Sequence, residues 1–240
     1  MKKGIFTAII LMFGLPFAAF ADGSLEPTAT YIGENNEEIT KKKNETIEGD
    51  APLFVRFAAN PSDFEAGYTI DWRFVHTGAE GNDQLTRYEE NPEFTFTQSG
   101  KTIVTVYARL NNEVLDSASI TINITESHLE MPNAFSPNGD FKNETYGAKG
   151  HYHQNVSGRY RSIVEFHGYI FNRSGQKLFE WTDISKGWDG TYNGSPCKDG
   201  VYFVLVKARG ADGKVYNIRR DVNLIRNHNE SQSSTSGSNP

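Results

Sequence analysis

An all-β protein, two tandem β-sandwich domains behind a cleaved leader, is the fold this sequence predicts. Three observations carry that prediction. From Ala51 onwards, apolar residues recur at every second position in short runs; clusters of Gly, Pro, Asn, Asp and Ser separate those runs; and no stretch has the spacing of an amphipathic helix. Alternation turns every second side chain to one face, so several such strands can share a core. With 240 residues, 37% apolar and 22% charged, the chain is long enough for two domains and too apolar to be wholly disordered.

The elements follow in order. Lys2 and Lys3 precede an apolar run from Ile5 to Phe20 that ends in Ala19-Phe20-Ala21. A basic start, a short apolar stretch and a small-x-small ending predict a secretory signal over residues 1–21, cut before Asp22; the alternative is an uncleaved anchor, for which the run is short. Residues 22–50 are polar, with Glu34 to Glu38 followed by Lys41-Lys42-Lys43, and read as a solvated segment into which a first strand fits.

Residues 51–126 form the first sandwich. Leu53, Val55 and Phe57 share a face, as do Tyr68, Ile70, Trp72 and Phe74; Phe94 and Phe96, then Val104 to Leu110, then Ala118 to Ile124 continue the pattern. The second sandwich spans 129–226, with strands at Ile163–Phe171, Lys177–Trp181, Val201–Ala208 and Val215–Ile225, and a hairpin turn at Gly210-Ala211-Asp212-Gly213. Residues 227–240, rich in Ser and Asn, read as a disordered tail.

The first sandwich resembles a PKD-type immunoglobulin-like domain. Gly49-Asp50-Ala51-Pro52-Leu53, Ala58-Ala59-Asn60-Pro61-Ser62, Tyr68-Thr69-Ile70-Asp71-Trp72, Asn91-Pro92-Glu93-Phe94 and the closing strand Asp116 to Ile124 carry the likeness, which begins as early as residue 28. The loop Arg73-Phe74-Val75-His76-Thr77-Gly78 departs from the family pattern.

The second is similar to the gliding-motility-associated C-terminal domain of Bacteroidetes, the type B sorting domain of type IX secretion. Its pieces are Met131-Pro132-Asn133-Ala134-Phe135-Ser136-Pro137-Asn138-Gly139-Asp140, Ile170-Phe171-Asn172-Arg173-Ser174-Gly175, Gly187-Trp188-Asp189-Gly190, Asp199-Gly200-Val201-Tyr202-Phe203 and Val222-Asn223-Leu224-Ile225-Arg226. Phe141, Glu144 and Ser174 depart from the family, and the chain continues past the Leu-Ile-Arg motif at which its members generally stop. The resemblance implies a secreted or surface-attached protein whose C-terminal domain is read by the export machinery.

Candidate sites are few. Asn138, Asp140, Asn143 and Glu144 place two carboxylates and two amides in seven residues, which suits either calcium or a pair of side-chain-capped turns. His151, His153, Glu165 and His167 could supply zinc ligands if the two pairs meet; the alternative is ordinary exposed histidines. Trp188 with Asp189 offers a platform for a sugar ring, or else a core tryptophan beside a turn. Ser117, in Asp116-Ser117-Ala118, matches a short O-glycosylation pattern of that phylum, and Cys197, the single cysteine, is free or bridges to another chain.

A formal net charge of −6 without an extended basic face argues against nucleic acid and anionic membranes as partners, and no membrane insertion of the mature chain is expected. Gly-x-Ser-x-Gly, the P-loop and His-Glu-x-x-His are all absent. The expectation is an exported, non-enzymatic cell-surface or extracellular protein, with a periplasmic location as the alternative. It would act in protein binding, adhesion or envelope assembly, without a cofactor unless calcium is held, and its partner would be an envelope or secretion-machinery protein. A glycan-binding module that takes polysaccharide, or an undetected hydrolase, are the other readings.

Overall fold

The computed structural model describes residues 23–33, 35–78, 81–148 and 160–226, all strand, turn or loop. The expected leader, the tail 227–240, His151 and His153 lie outside the described residues. No helix among those described is long and apolar enough to cross a membrane.

The first module contains β1 (Ser24–Leu25), β2 (Thr28–Ile32), β3 (Glu38–Lys42), β4 (Thr46–Gly49), β5 (Leu53–Ala58), β6 (Pro61–Ser62), β7 (Thr69–Gly78), β8 (Gly81–Arg87), β9 (Glu93–Phe96), β10 (Gly100–Leu110) and β11 (Glu113–Ile124). One sheet runs β4-β11-β10-β7-β8 and the other β3-β2-β5-β9. Their inner faces carry the alternating residues: Val55, Trp72, Val104, Val106 and Ile122 have no exposed surface. Phe57 stands 5.5 Å from Trp72 and 5.6 Å from Phe74, so the sheets meet through an aromatic cluster.

Here the structure corrects the reading of residues 22–50. They supply four strands, and Leu25, Ala29 and Ile47 are fully buried in the core. Each strand is only two to five residues long, so it turns one or two apolar side chains inward and leaves no run to detect. β3 is a sheet edge with Glu38, Thr40 and Lys42 outward, and charges at an edge discourage pairing with other chains.

The second module contains β12 (His128–Leu129), β13 (Ala134–Phe135), β14 (Tyr160–Arg161), β15 (Ile163–Phe171), β16 (Lys177–Trp181), β17 (Thr191–Tyr192), β18 (Ser195–Pro196), β19 (Gly200–Gly210) and β20 (Val215–Leu224). Its main sheet runs β13-β20-β19-β15-β16, and a thinner layer covers it: the pairs β12–β14 and β17–β18 and a bridge between Tyr146 and Trp188. Trp188, Tyr146, Ile170, Val206 and Leu224 fill the space between, none with more than trace exposure. Gly168 is required in β15: a Cβ there would lie 2.5 Å from the Trp181 ring.

Candidate functional site

Three residues, Thr125 to Ser127, join β11 to β12, and the modules touch on both sides of this link. A chain of hydrogen bonds crosses it. The Ala51 amide donates to Ser162 Oγ at 3.1 Å, the Ser162 hydroxyl reaches Thr125 Oγ1 at 2.8 Å, and the Thr125 hydroxyl donates to Asp50 Oδ1 at 2.5 Å. Each hydroxyl in this relay has one donor and one acceptor partner, so the buried Ser162 is satisfied.

On the other side, the hairpin between β19 and β20 reaches into the first module. Ala211 is 1% exposed and belongs to the first core, as does the flank of Val164. The Ala211 carbonyl accepts from the Ser99 amide and its own amide donates to the Ser162 carbonyl, both at 2.9 Å. Asp212 holds the turn to the link: Ser127 donates to it through its hydroxyl at 2.6 Å and its amide at 3.1 Å, and Tyr216 meets the same hydroxyl at 2.9 Å. Partial burial pushes the Asp212 carboxyl up, but the Ser127 and Lys214 hydrogen bonds outweigh it and hold the group below its ordinary value. A Cβ on Gly210 would fall 2.1 Å from Ser127 Oγ, so only glycine admits this approach.

The oxygen-rich loop is folded on itself. The Asp140 amide donates to Asn138 Oδ1 and the Lys142 amide to Asp140 Oδ1, while Gly139 and Phe141 direct their amides at the Glu144 carboxylate. These are capped turns. The Lys142 amide and the Asn138 side chain keep the Asp140 carboxyl below its ordinary value. Asn143 takes a positive φ of 51° at the loop's end, where its carbonyl accepts from Ser136.

Trp188 corrects the sugar-platform reading. It has no exposed surface, its indole N–H donates to the Thr191 carbonyl at 2.8 Å, and Phe135 and Tyr202 close on its ring. Asp189 accepts from the amide and hydroxyl of Thr191, a turn beside a core residue. Arg226 closes this end: its guanidinium donates to the carbonyls of Cys197 and Gly190 and pairs with Asp199 at 3.2 Å. Cys197 is half-buried, and burial pushes its thiol pKa up, which disfavours the reactive thiolate.

Glu165 pairs with Arg209 at 2.6 Å, which holds its carboxyl low, and His167 meets Glu180 at 2.6 Å. The two are therefore engaged with separate partners on the outer face of the sheet. Among the described residues no group of three or more His, Cys, Asp or Glu could hold a metal ion. Ser117 is exposed on β11 opposite Tyr107, its amide donating to Asp116 Oδ1.

One cavity of about 220 Å³ opens in the first module where the edge strands β8 and β9 part. Phe74, Phe94 and Phe96 floor it; His76, Asp83, Gln98 and Thr102 line its polar side. His76 Nδ1 lies 2.9 Å from Thr102 Oγ1, while its Nε2 is buried without a hydrogen-bond partner among the described residues.

Residues 129–218 match the family model of the CHU_C type IX secretion signal domain. The matched segment is the second module. Its hairpin at 210–213, which contacts the first module, lies inside the match, whereas Arg226 lies beyond it. No curated protein matches the chain. Among solved structures, a tetra-tandem repeat in the extending region of a large adhesion protein is similar at 12% identity and a TM-score of 0.24, over 84% of this chain and 67% of that one. The FN1–FN3 domains of chicken CNTN1 are similar at 8% identity and a TM-score of 0.29, over 78% and 68%. At those scores the likeness adds nothing to the architecture described above.

The residues of the junction were not among the sequence-predicted sites. Ser162 and Ala211 carry no motif, and a Gly-Ala-Asp-Gly hairpin turn looks the same whether it meets water or another domain.

Proposed function

We propose that this chain is an exported, non-enzymatic protein of the cell surface that acts in protein binding, adhesion or envelope assembly. The match of residues 129–218 to a type IX secretion signal domain is the observation that carries this reading. The second module is the part engaged by the export machinery, and the PKD-like first module is the part displayed. Residues 1–21 direct the first export step and are removed.

A non-catalytic role is supported by how the polar side chains are used. In the 138–144 loop, around Asp189 and along the junction they hold backbone amides and carbonyls, which gives them a loop-shaping role. The junction supports retention of both modules after export, because removing the second would strip Ala211 and Val164 from the first core. The partner is then another envelope protein, met by a two-module unit of fixed geometry.

Protease added to intact producing cells tests the location. The chain is expected to be digested without opening the envelope. Protection until the outer envelope is breached would place it in the periplasm and overturn the surface assignment.

A further inference from the structure

The inner face of the β4-β11-β10-β7-β8 sheet changes character at one rung. Register sets Leu85, Phe74 and Val104 side by side, and on the next inward rung Asp83, His76 and Thr102. Phe74 and Val104 are buried core residues. One rung on, the alternation that would turn three more apolar side chains inward delivers a carboxylate, an imidazole and a hydroxyl. Three adjacent strands make the same change, and the cavity of about 220 Å³ opens at that point.

β9 faces this rung with Phe94 and Phe96, and Phe74 continues the apolar floor. The Phe94 and Phe96 rings stand 4.8 Å apart at 66°, and Phe74 and Phe94 stand 5.0 Å apart at 33°. Rings inclined in this way make an aromatic corner instead of a flat stack. Asp83 is the one carboxylate of the lining, and neither lysine nor arginine lines the cavity among the described residues. Asp83 forms no ion pair among those residues; its Oδ1 accepts the neighbouring Gln84 amide at 2.7 Å. His76 is built into the wall, with Nδ1 at Thr102 and Nε2 against Gly78.

This lining selects a class of ligand. Aromatic faces carry partial negative charge and attract cations, and an unpaired carboxylate adds to that attraction. Exposed Glu89, Glu90 and Glu93 lie in the connection from β8 to β9 and at the start of β9, and deepen the negative field at the mouth. An anion would meet Asp83 with no lysine or arginine to offset it. A bare calcium ion needs six to eight oxygen ligands and would find one carboxylate among phenylalanines. A wholly apolar molecule would strip water from Asp83 without replacing it. An organic ammonium ion satisfies both halves, its alkyl groups on the rings and its charge beside the carboxylate. At ~30 Å³ per water-sized atom, the cavity has room for about seven non-hydrogen atoms.

We propose that this cavity is a binding site for a small organic ammonium cation, its alkyl groups seated on Phe74, Phe94 and Phe96 and its charge held by Asp83.

Titration of the purified full chain with choline chloride at constant ionic strength, followed by backbone amide NMR, tests this. Saturable shifts should cluster at residues 83–85 and 94–98, with a Kd of about 0.1–1 mM. The neutral isostere 3,3-dimethylbutan-1-ol, in which carbon replaces the charged nitrogen, should bind about 10-fold more weakly. Asp83→Asn should weaken choline about 10-fold at the parent melting temperature, and Phe94→Leu, which keeps apolar bulk without a ring face, about 5-fold. The isostere should lose less than choline in both variants. Absence of saturable shifts at about 20 mM choline would overturn the proposal, as would shifts scattered over the acidic surface. Equal affinity of the parent for choline and its isostere would reduce the cavity to an apolar hole, and a folded Asp83→Asn chain with parent affinity would remove the carboxylate from the site; either result overturns it.

Discussion

The Ser99 amide of the first module donates to the Ala211 carbonyl of the second across 2.9 Å, and the Ala211 methyl is buried in the core on the Ser99 side. The turn of one domain thus completes the packing of the other. A hydrogen bond shielded from water and a methyl group inside a core make this contact part of the folded unit, whereas loosely linked domains share a wetter, more polar surface.

Cooperative unfolding follows from that contact. The chain should melt in one calorimetric transition, and Ala211→Asp, which drives a carboxylate into the first core, should cost about 2–4 kcal/mol and split the transition in two. Ser162→Ala leaves the Ala51 amide and Thr125 hydroxyl short of a partner, and should cost about 1–3 kcal/mol. A single, unshifted transition in both variants would mean that the junction contributes nothing to stability.

Acid should loosen the same contact. The folded Asp212 carboxyl sits below its ordinary value of 3.8, so the unfolded chain takes up the proton first and the stabilisation is present above that value. It erodes as pH falls through 3.8 and is gone below the depressed folded value. Asp212→Asn should remove this component of the acid dependence. Equal steepness of stability against pH in parent and variant below that point would contradict the assignment.

Trp188 is a core residue, and its replacement should register as stability. Trp188→Ala removes a fully buried indole and should cost about 3–5 kcal/mol by chemical denaturation. Wild-type melting in this variant, with polysaccharide retention lost, would instead restore the sugar-platform reading.

Tyr146 makes the opposite prediction. Its hydroxyl is buried without a hydrogen-bond partner among the described residues, and desolvation pushes its pKa well above the ordinary phenol value. Tyr146→Phe deletes an unmet polar group while keeping the ring, so stability should be unchanged or raised by up to ~1–2 kcal/mol. A clear loss would point to a partner for that oxygen.

Much of the sheet scaffold could be read from alternation. The strands Ile163–Phe171 and Lys177–Trp181 occupy the residues that periodicity assigns, because each is long enough to turn several apolar side chains inward. Within residues 24–49 the sequence suggests one strand where four form, for the converse reason: Leu25, Ala29 and Ile47 are single inward positions among polar neighbours. The junction was invisible because its contacts join residues far apart in sequence, 111 positions between Ala51 and Ser162. At Trp188 and in the 138–144 loop, composition permitted either a site or a turn, and the side-chain hydrogen bonds with the backbone are what the sequence could not display.

The most direct test labels intact producing cells with a membrane-impermeant amine reagent and measures the intact mass of the labelled chain. One labelled species is expected, beginning after Ala21 and still carrying both modules. A labelled species ending near residue 127 would contradict the welded junction, and a chain labelled only after the envelope is opened would contradict its place on the surface.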